Sequence, residues 1–188
     1  MTVRVAVRAS SARKVAVSVF KTAQLVAGGR LHSPNTWVDR TLRFADGTTA
    51  RVYRETVLTK APVREPTLLV VGFRLRLIRR NRLLHAAFRV ESLANTPLFA
   101  GFPGFRSKLW VTDLVTGVYR GIYEWDGARL AEDYVTALSA VLRPFCVPGS
   151  IRYHIEAGIH RDDFLRDPSV ISERTGGTEW WMMRPSDR

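Results

Sequence analysis

The sequence predicts an α+β fold, in which one antiparallel sheet carries its helices on one face. The first observation is strand-like alternation of apolar residues in four segments, 67–78, 105–112, 118–125 and 150–157. The second is helical spacing of apolar residues in 81–100 and 127–142. The third is their order, β-α-β-β-α-β, which is the ferredoxin-like plan.

Residues 1–66 predict an extension ahead of this unit. Residues 2–8 alternate as a strand does, and residues 11–27 have helical spacing, although their β-branched residues leave a strand open. Asp46-Gly47 lies between two strand-like runs and predicts a hairpin. Pro62 and Pro66 mark a linker, so we predict three parts: an extension of strand, helix and hairpin (1–66), a ferredoxin-like domain (67–157) and a tail (158–188).

The second helix of the unit has the clearest limits. Asp126 is a good N-cap, and Pro144 ends the helix because proline cannot continue it. Its apolar stripe consists of Leu130, Tyr134, Ala137, Leu138 and Val141.

Composition limits the classes of partner. The formal net charge is +12, which suits nucleic acid, an anionic membrane surface or an acidic ligand, but also an ordinary basic protein. No nucleic-acid-binding motif accompanies the charge, so nucleic acid is disfavoured. No apolar run approaches the ~20 residues that a membrane span needs. Cys146 is the only cysteine, which excludes an internal disulfide and fits a reducing cytoplasm.

The N-terminus is basic and poor in acidic residues, as organelle transit peptides are. We favour a folded extension, because Val3, Val5 and Val7 alternate like a strand.

Aromatic rings and cations share positions on the predicted strands. Alternation allows one face to combine Arg74, Arg76, Lys108, Trp110, Tyr119, Tyr123 and His154, with Trp125 continuing the row of Tyr119 and Tyr123. Such a face would line a cavity for an aromatic or anionic small molecule, since rings stack on Trp and Tyr while Arg pairs with anionic oxygen. The alternative is that the aromatics are core or interface residues and the arginines reach solvent.

His154 is the best candidate for a general base, because imidazole titrates near neutral pH. His85 on the first helix is the next, and Tyr123 acting with a water is a third. For His154 and His85, the alternative is a structural role. Metal-ligand spacings, nucleophile elbows, P-loops and dinucleotide motifs are absent from the sequence. Hydrolases, kinases and dinucleotide enzymes are therefore disfavoured, and we expect no metal or cofactor.

The stretch PGF…KLWVTD…TGVYRGIYEWD…AEDYV…GSIRYHI resembles the dimeric α+β-barrel proteins, and among these the small monooxygenase-like proteins of the YdhR type. The resemblance covers about residues 67–157. It implies a homodimer in which two sheets face each other. It also implies a cofactor-independent monooxygenase or cyclase-like enzyme, acting on an aromatic or polyketide-type molecule in a cavity between sheet and helices. A non-catalytic small-molecule-binding dimer of the same fold is the alternative.

Overall fold

One antiparallel sheet of seven strands organises the protein. The computed structural model describes residues 17–59, 62–76, 96, 99–113, 115–169, 171 and 179–184. The strands are β1 (Leu31–His32), β2 (Thr41–Arg43), β3 (Thr49–Leu58), β4 (Pro66–Arg74), β5 (Phe105–Asp113), β6 (Val118–Asp126) and β7 (Arg152–Ala157). The helices of the described part are α1 (17–27), α2 (Ala128–Leu142) and α3 (Arg161–Arg166).

The strand order confirms the predicted fold class. The sheet runs β1-β3-β5-β6-β4-β7, with β2 beside β3, and every pairing is antiparallel. Its last four strands, β5-β6-β4-β7, have the order of a ferredoxin-like sheet. The strand predicted over 2–8 lies outside the described residues, as do residues 81–95, 97 and 98 of the predicted first helix. Its last two residues, 99 and 100, lie in a turn instead.

The hairpin predicted at Asp46-Gly47 is present, and it extends the same sheet. Gly47 has φ 82°, which a tight turn requires and which a side chain disfavours. Beyond the turn, β3 pairs with β5 from Arg51 opposite Thr112 to Val57 opposite Ser107. The division of the chain into three parts remains a prediction.

The sheet buries both of its faces. We call the face that contacts α2 the helix face; there, Leu69, Val71, Trp110, Tyr123 and Trp125 pack with Ala131, Tyr134 and Leu138 of α2. We call the opposite face the tail face; there, Leu68, Val70, Leu109, Val111 and Ile122 pack against Phe164, Leu165, Trp181 and Met182. The apolar content of β4 follows, because a strand covered on both sides does not alternate with polar residues.

The C-terminal residues hold to the tail face by backbone and ring contacts. The amide of Ala45 donates to the carbonyl of Met182 at 2.9 Å. Trp180 lies so close to Gly72 that a Cβ there would come within 2.8 Å of its ring. The chain thus covers by itself the face that a second sheet would cover in the homodimer that the resemblance implies. The homodimer remains a prediction. While the C-terminal residues cover the tail face, two copies would have to pair through a different surface.

The start of α2 corrects one prediction. The N-cap is Gly127, not Asp126. The Asp126 carboxylate instead accepts the amides of Arg64 and Glu65, each at 2.9 Å, and pairs with Arg106. Burial alone would raise the pKa of Asp126, but these hydrogen bonds outweigh it and lower the pKa to about 2. Asp126 therefore stabilises the linker before β4 rather than the start of the helix.

In the described residues, no helix is long and apolar enough to span a membrane.

Candidate functional site

A buried lysine lies among aromatic rings on the helix face. The side-chain nitrogen of Lys108 is 3.0 Å from the ring centre of Trp110, 4.5 Å from that of Phe99 and 4.9 Å from that of Tyr123. Lys108 is only 6% exposed. Within the described ranges no carboxylate pairs with its amine. Ring faces are the main partners of this cation.

Burial lowers the pKa of Lys108 well below its ordinary value, and the charge of Arg54 lowers it further. Deprotonation is thereby brought closer to neutral pH. A neutral amine has a lone pair, so it can remove a proton or attack a carbonyl carbon. Among the predicted residues, Lys108 is therefore the one whose surroundings favour base chemistry.

Strand register and one glycine assemble this cluster. Lys108 lies opposite Tyr123 on β6, and Trp110 lies opposite Gly121. A Cβ at Gly121 would come within 2.4 Å of the Tyr123 ring, so only glycine lets that ring lean back over its own strand. Trp110 is fixed from β3, because its Nε1 donates to Thr56 Oγ1 at 3.3 Å.

Tyr123 and Tyr134 share a hydrogen bond beneath α2. Their hydroxyl oxygens are 3.1 Å apart, and both residues are buried. Burial raises the pKa of both phenols, so each stays protonated at neutral pH. The surroundings of Tyr123 suit a hydrogen-bond donor, whereas the predicted role as a base with water would need an easier ionisation.

A second cation borders the cluster from β3. The guanidinium carbon of Arg54 lies 5.5 Å from the Trp110 ring centre, and its Nη2 donates to Thr96 Oγ1 at 2.9 Å. Burial lowers the pKa of Arg54, although a guanidinium keeps its charge in proteins. The sequence offered no signal for Arg54, because nothing in it shows that β3 pairs with β5.

His154 lies on the tail face, away from Lys108 and the aromatic cluster. It is opposite Val70, whereas Tyr123 is opposite the next residue, Leu69. Its ring stacks on Trp181 with centroids 3.8 Å apart and planes 8° apart, and its Nε2 is 3.0 Å from Glu156 Oε2. The predicted single face with His154 is therefore wrong. Alternation gives two faces for each strand but not which faces of different strands coincide.

The predicted arginines also lie apart from the aromatic cluster. Arg74 is exposed at the end of β4 and belongs by alternation to the tail face. Arg76 lies beyond β4, where its Nε donates to the carbonyl of Cys146 at 2.7 Å. His85 lies outside the described residues.

The remaining predicted residues are on the helix face. Trp125 stacks on Tyr134 with centroids 4.8 Å apart, so it is close to the Lys108 cluster. Tyr119 is at the other end of the face, where it stacks on Phe73 at 5.9 Å and packs near Cys146. Four predicted residues, Lys108, Trp110, Tyr123 and Trp125, thus lie in or beside one cluster. No group of three metal-ligating side chains occurs in the described part of the chain.

Comparison with solved structures finds ferredoxin-fold and monooxygenase-like proteins at low sequence identity. A Listeria monocytogenes ferredoxin-fold protein related to antibiotic biosynthesis monooxygenases matches with 15% identity, TM-score 0.41 and coverage of 59% of this chain and 64% of its own. An anthrone oxidase-like protein matches with 14% identity, TM-score 0.38 and coverages of 61% and 58%. A heme-degrading enzyme from Listeria monocytogenes matches with 13% identity, TM-score 0.38 and coverages of 58% and 70%.

The strand order β5-β6-β4-β7 is that of a ferredoxin-like sheet. This chain spans less than two thirds of the length of the first two structures. No protein-family model matches the chain, and no curated protein matches it. The narrower YdhR-type resemblance remains a prediction.

Proposed function

We propose that the protein is a cofactor-independent enzyme of the monooxygenase type, which acts on an aromatic small molecule with an acidic C–H or O–H group. The observation that supports the proposal is the Lys108 amine, which is buried among aromatic rings and has a lowered pKa. Lys108 replaces His154 as the proposed base. Aromatic rings around a buried amine favour a flat, apolar substrate.

In the proposed reaction, the substrate ring lies against Trp110 and Phe99, and Lys108 removes a proton from a CH₂ group that is acidified by conjugation with a carbonyl. Arg54 stabilises the resulting anion by its positive charge. The carbanion adds to O₂ and forms a hydroperoxide, to which Lys108 returns its proton. Loss of water leaves a ketone, so that CH₂ and O₂ become C=O and H₂O. Four electrons pass from carbon to oxygen, and no further reductant is needed.

Close ring contacts favour a second candidate, a small-molecule-binding protein without catalysis. Phe99 contacts Phe105, Trp110 and Tyr123 at centroid distances of 4.9, 5.4 and 6.3 Å, as residues of an ordinary core do. A ligand would have to displace part of this packing. The cyclase alternative shares the first step, proton removal, and differs in that the carbanion closes a ring instead of meeting O₂.

Anthrone is a suitable test substrate, because its CH₂ group lies between two rings and opposite a carbonyl. We expect oxygen uptake and formation of anthraquinone above the rate in buffer. Lys108→Met is expected to lose about 100-fold or more in rate, the usual contribution of a general base. His154→Gln is the matched control and should keep the rate, with both variants checked for folding by circular dichroism.

The wild-type rate should also rise with pH as Lys108 loses its proton. A panel of anthrones and polyphenols that gives no oxygen uptake contradicts the enzyme proposal. If the protein binds a ligand without changing it, and Lys108→Met loses that binding, the binding-protein alternative is supported. A full rate in Lys108→Met shows that another group is the base.

A further inference from the structure

A cavity of about 370 Å³ opens on the tail face, at the opposite side of the sheet from Lys108. It lies where the end of β3, the start of β5 and α3 meet. Ser107 and Glu124 line it from two paired strands and share the tail face with Leu109 and Ile122, two positions further along. The volume is within the range of small-molecule sites. No residue of the proposed oxygenase site lines this cavity, so the inference does not rest on the proposed function.

Three residues that line this cavity each carry a buried hydrogen-bond donor without an acceptor in the described part of the chain: Trp37 Nε1, Ser107 Oγ and Arg161 Nη1. The three residues are 6%, 3% and 4% exposed. A buried donor without a partner is costly, and native proteins contain few of them. Three such donors therefore lie on residues around one cavity.

The guanidinium of Arg161 is held rigidly beside the cavity. Its Nη2 donates to Glu55 Oε1 at 2.7 Å, and its Nε and Nη2 both reach Asp162 Oδ1, at 2.9 and 2.7 Å. Glu55 also accepts the amide of Trp37 at 3.3 Å, which ties Trp37 to the same network. Trp37, Glu55 and Arg161 therefore belong to one hydrogen-bonded network beside the cavity.

Charges around the cavity argue against an anionic ligand. Arg106 and Arg161 line it together with Glu55, Glu124 and Asp162, so the carboxylates outnumber the guanidinium groups. Arg106 already pairs with Asp126, and Glu124 Oε1 lies 2.6 Å from His160 Nδ1. An added negative charge would meet carboxylates. Val57, Leu58 and Val63 form an apolar part of the wall.

We propose that this cavity binds a neutral small molecule with at least two carbonyl-type acceptor oxygens on an apolar body. The oxygens accept from Trp37, Ser107 and Arg161, while the body contacts the valine and leucine side chains. Small adjustments of these side chains bring their polar hydrogens to the cavity surface, as is common when ligands bind.

The indole N–H resonances in a ¹H–¹⁵N spectrum report directly on this binding. Trp37→Phe assigns the Trp37 signal, and Trp125 on the helix face is the internal reference. Three probes are compared. N-methylphthalimide has two carbonyl groups, indane has rings of the same size but no carbonyl group, and phthalate has two negative charges. We expect N-methylphthalimide to shift the Trp37 signal and leave the Trp125 signal in place, while indane and phthalate have little effect.

Ser107→Ala should weaken the affinity for N-methylphthalimide about threefold or more, the effect of one hydrogen bond. Ser139→Ala, a similar change on α2, should leave it unchanged. A Trp37 signal that none of the probes moves overturns the proposal, because water then satisfies the donors. Equal binding of indane, or tighter binding of phthalate, overturns the proposed class of ligand.

Discussion

The nitrogen of Lys108 lies over the face of Trp110, 3.0 Å from the ring centre. In water an ammonium group has a full hydration shell, and here that shell is replaced mainly by rings. Such a site tolerates the charge less well than water does, which is why burial lowers the pKa of Lys108.

Lys108→Met is expected to stabilise the fold at pH 7, because methionine carries no charge that burial would penalise. The sign follows from linkage. Between the lowered pKa in the folded state and the ordinary value of 10.5, the unfolded chain holds a proton that the folded chain lacks. The free energy of unfolding of the wild type therefore rises with pH up to about 10.5, and this part of the rise disappears in Lys108→Met.

Denaturant unfolding at a series of pH values from 7 to 10 measures both effects. Lys21→Met, which changes an exposed lysine on α1, is the matched control and should leave the pH dependence in place. A parallel pH dependence in wild type and Lys108→Met would show that Lys108 stays charged in the folded protein.

Tyr123 and Tyr134 should behave as a coupled pair. Tyr134→Phe leaves the Tyr123 hydroxyl buried without its partner, and we expect a loss of about 1–3 kcal/mol in the free energy of unfolding. The double change Tyr123→Phe with Tyr134→Phe should cost less than the sum of the single changes, because it leaves no hydroxyl unpaired. Tyr153→Phe, at an exposed position, is the control. Additive losses in the thermodynamic cycle would contradict the coupling.

The ion pair between Glu55 and Arg161 should be worth far more than one on the surface. Their side chains are only 2% and 5% exposed, and Glu55→Gln leaves the buried Arg161 charge with Asp162 as its remaining carboxylate partner, so we expect a cost of about 3 kcal/mol, the lower end for a broken buried pair. Asp39→Asn removes the exposed pair with Arg51 and should cost less than about 1 kcal/mol. Thermal and denaturant unfolding compare the two variants. Similar losses would mean that the Glu55 network is not buried in solution.

Asp126 should contribute stability that is lost in acid. Its pKa of about 2 is below the ordinary 3.8, so the contribution is present above about pH 4 and disappears as the pH falls toward 2. We expect Asp126→Asn to cost about 1 kcal/mol at pH 6, less than the shift alone implies because solvent partly screens the carboxylate. The difference from wild type should vanish near pH 2. A constant difference from pH 6 to pH 2 would contradict the lowered pKa.

Local secondary structure could be predicted from the sequence, whereas the pairing of strands that are distant along the chain could not. Lys108 and Trp110 are two residues apart on one strand, so alternation alone places them on one face. The limits of β5, β6 and α2 also agree with the prediction within one or two residues. The turn at Asp46-Gly47 and the helix end before Pro144 depend on local residues, so the sequence predicts both.

The position of His154 shows where this reasoning fails. A shift of one residue in the pairing of β7 with β4 would move its ring to the other face, and the sequence holds no local signal for that register. The same limit hid Arg54 and Arg161, whose partners are far along the chain. A β-bulge between Phe105 and Ser107 adds a further shift that simple alternation does not include.

The C-terminal segment that covers the tail face belongs to the same chain as the sheet that it covers. Trp180, Trp181 and Met182 lie on the tail face at a local concentration that the connecting chain sets, whatever the amount of protein in solution. A layer borrowed from another copy would dissociate on dilution, and the unfolding temperature would fall with it. Here, dilution leaves that layer in place, so the tail face stays covered even when each molecule is alone.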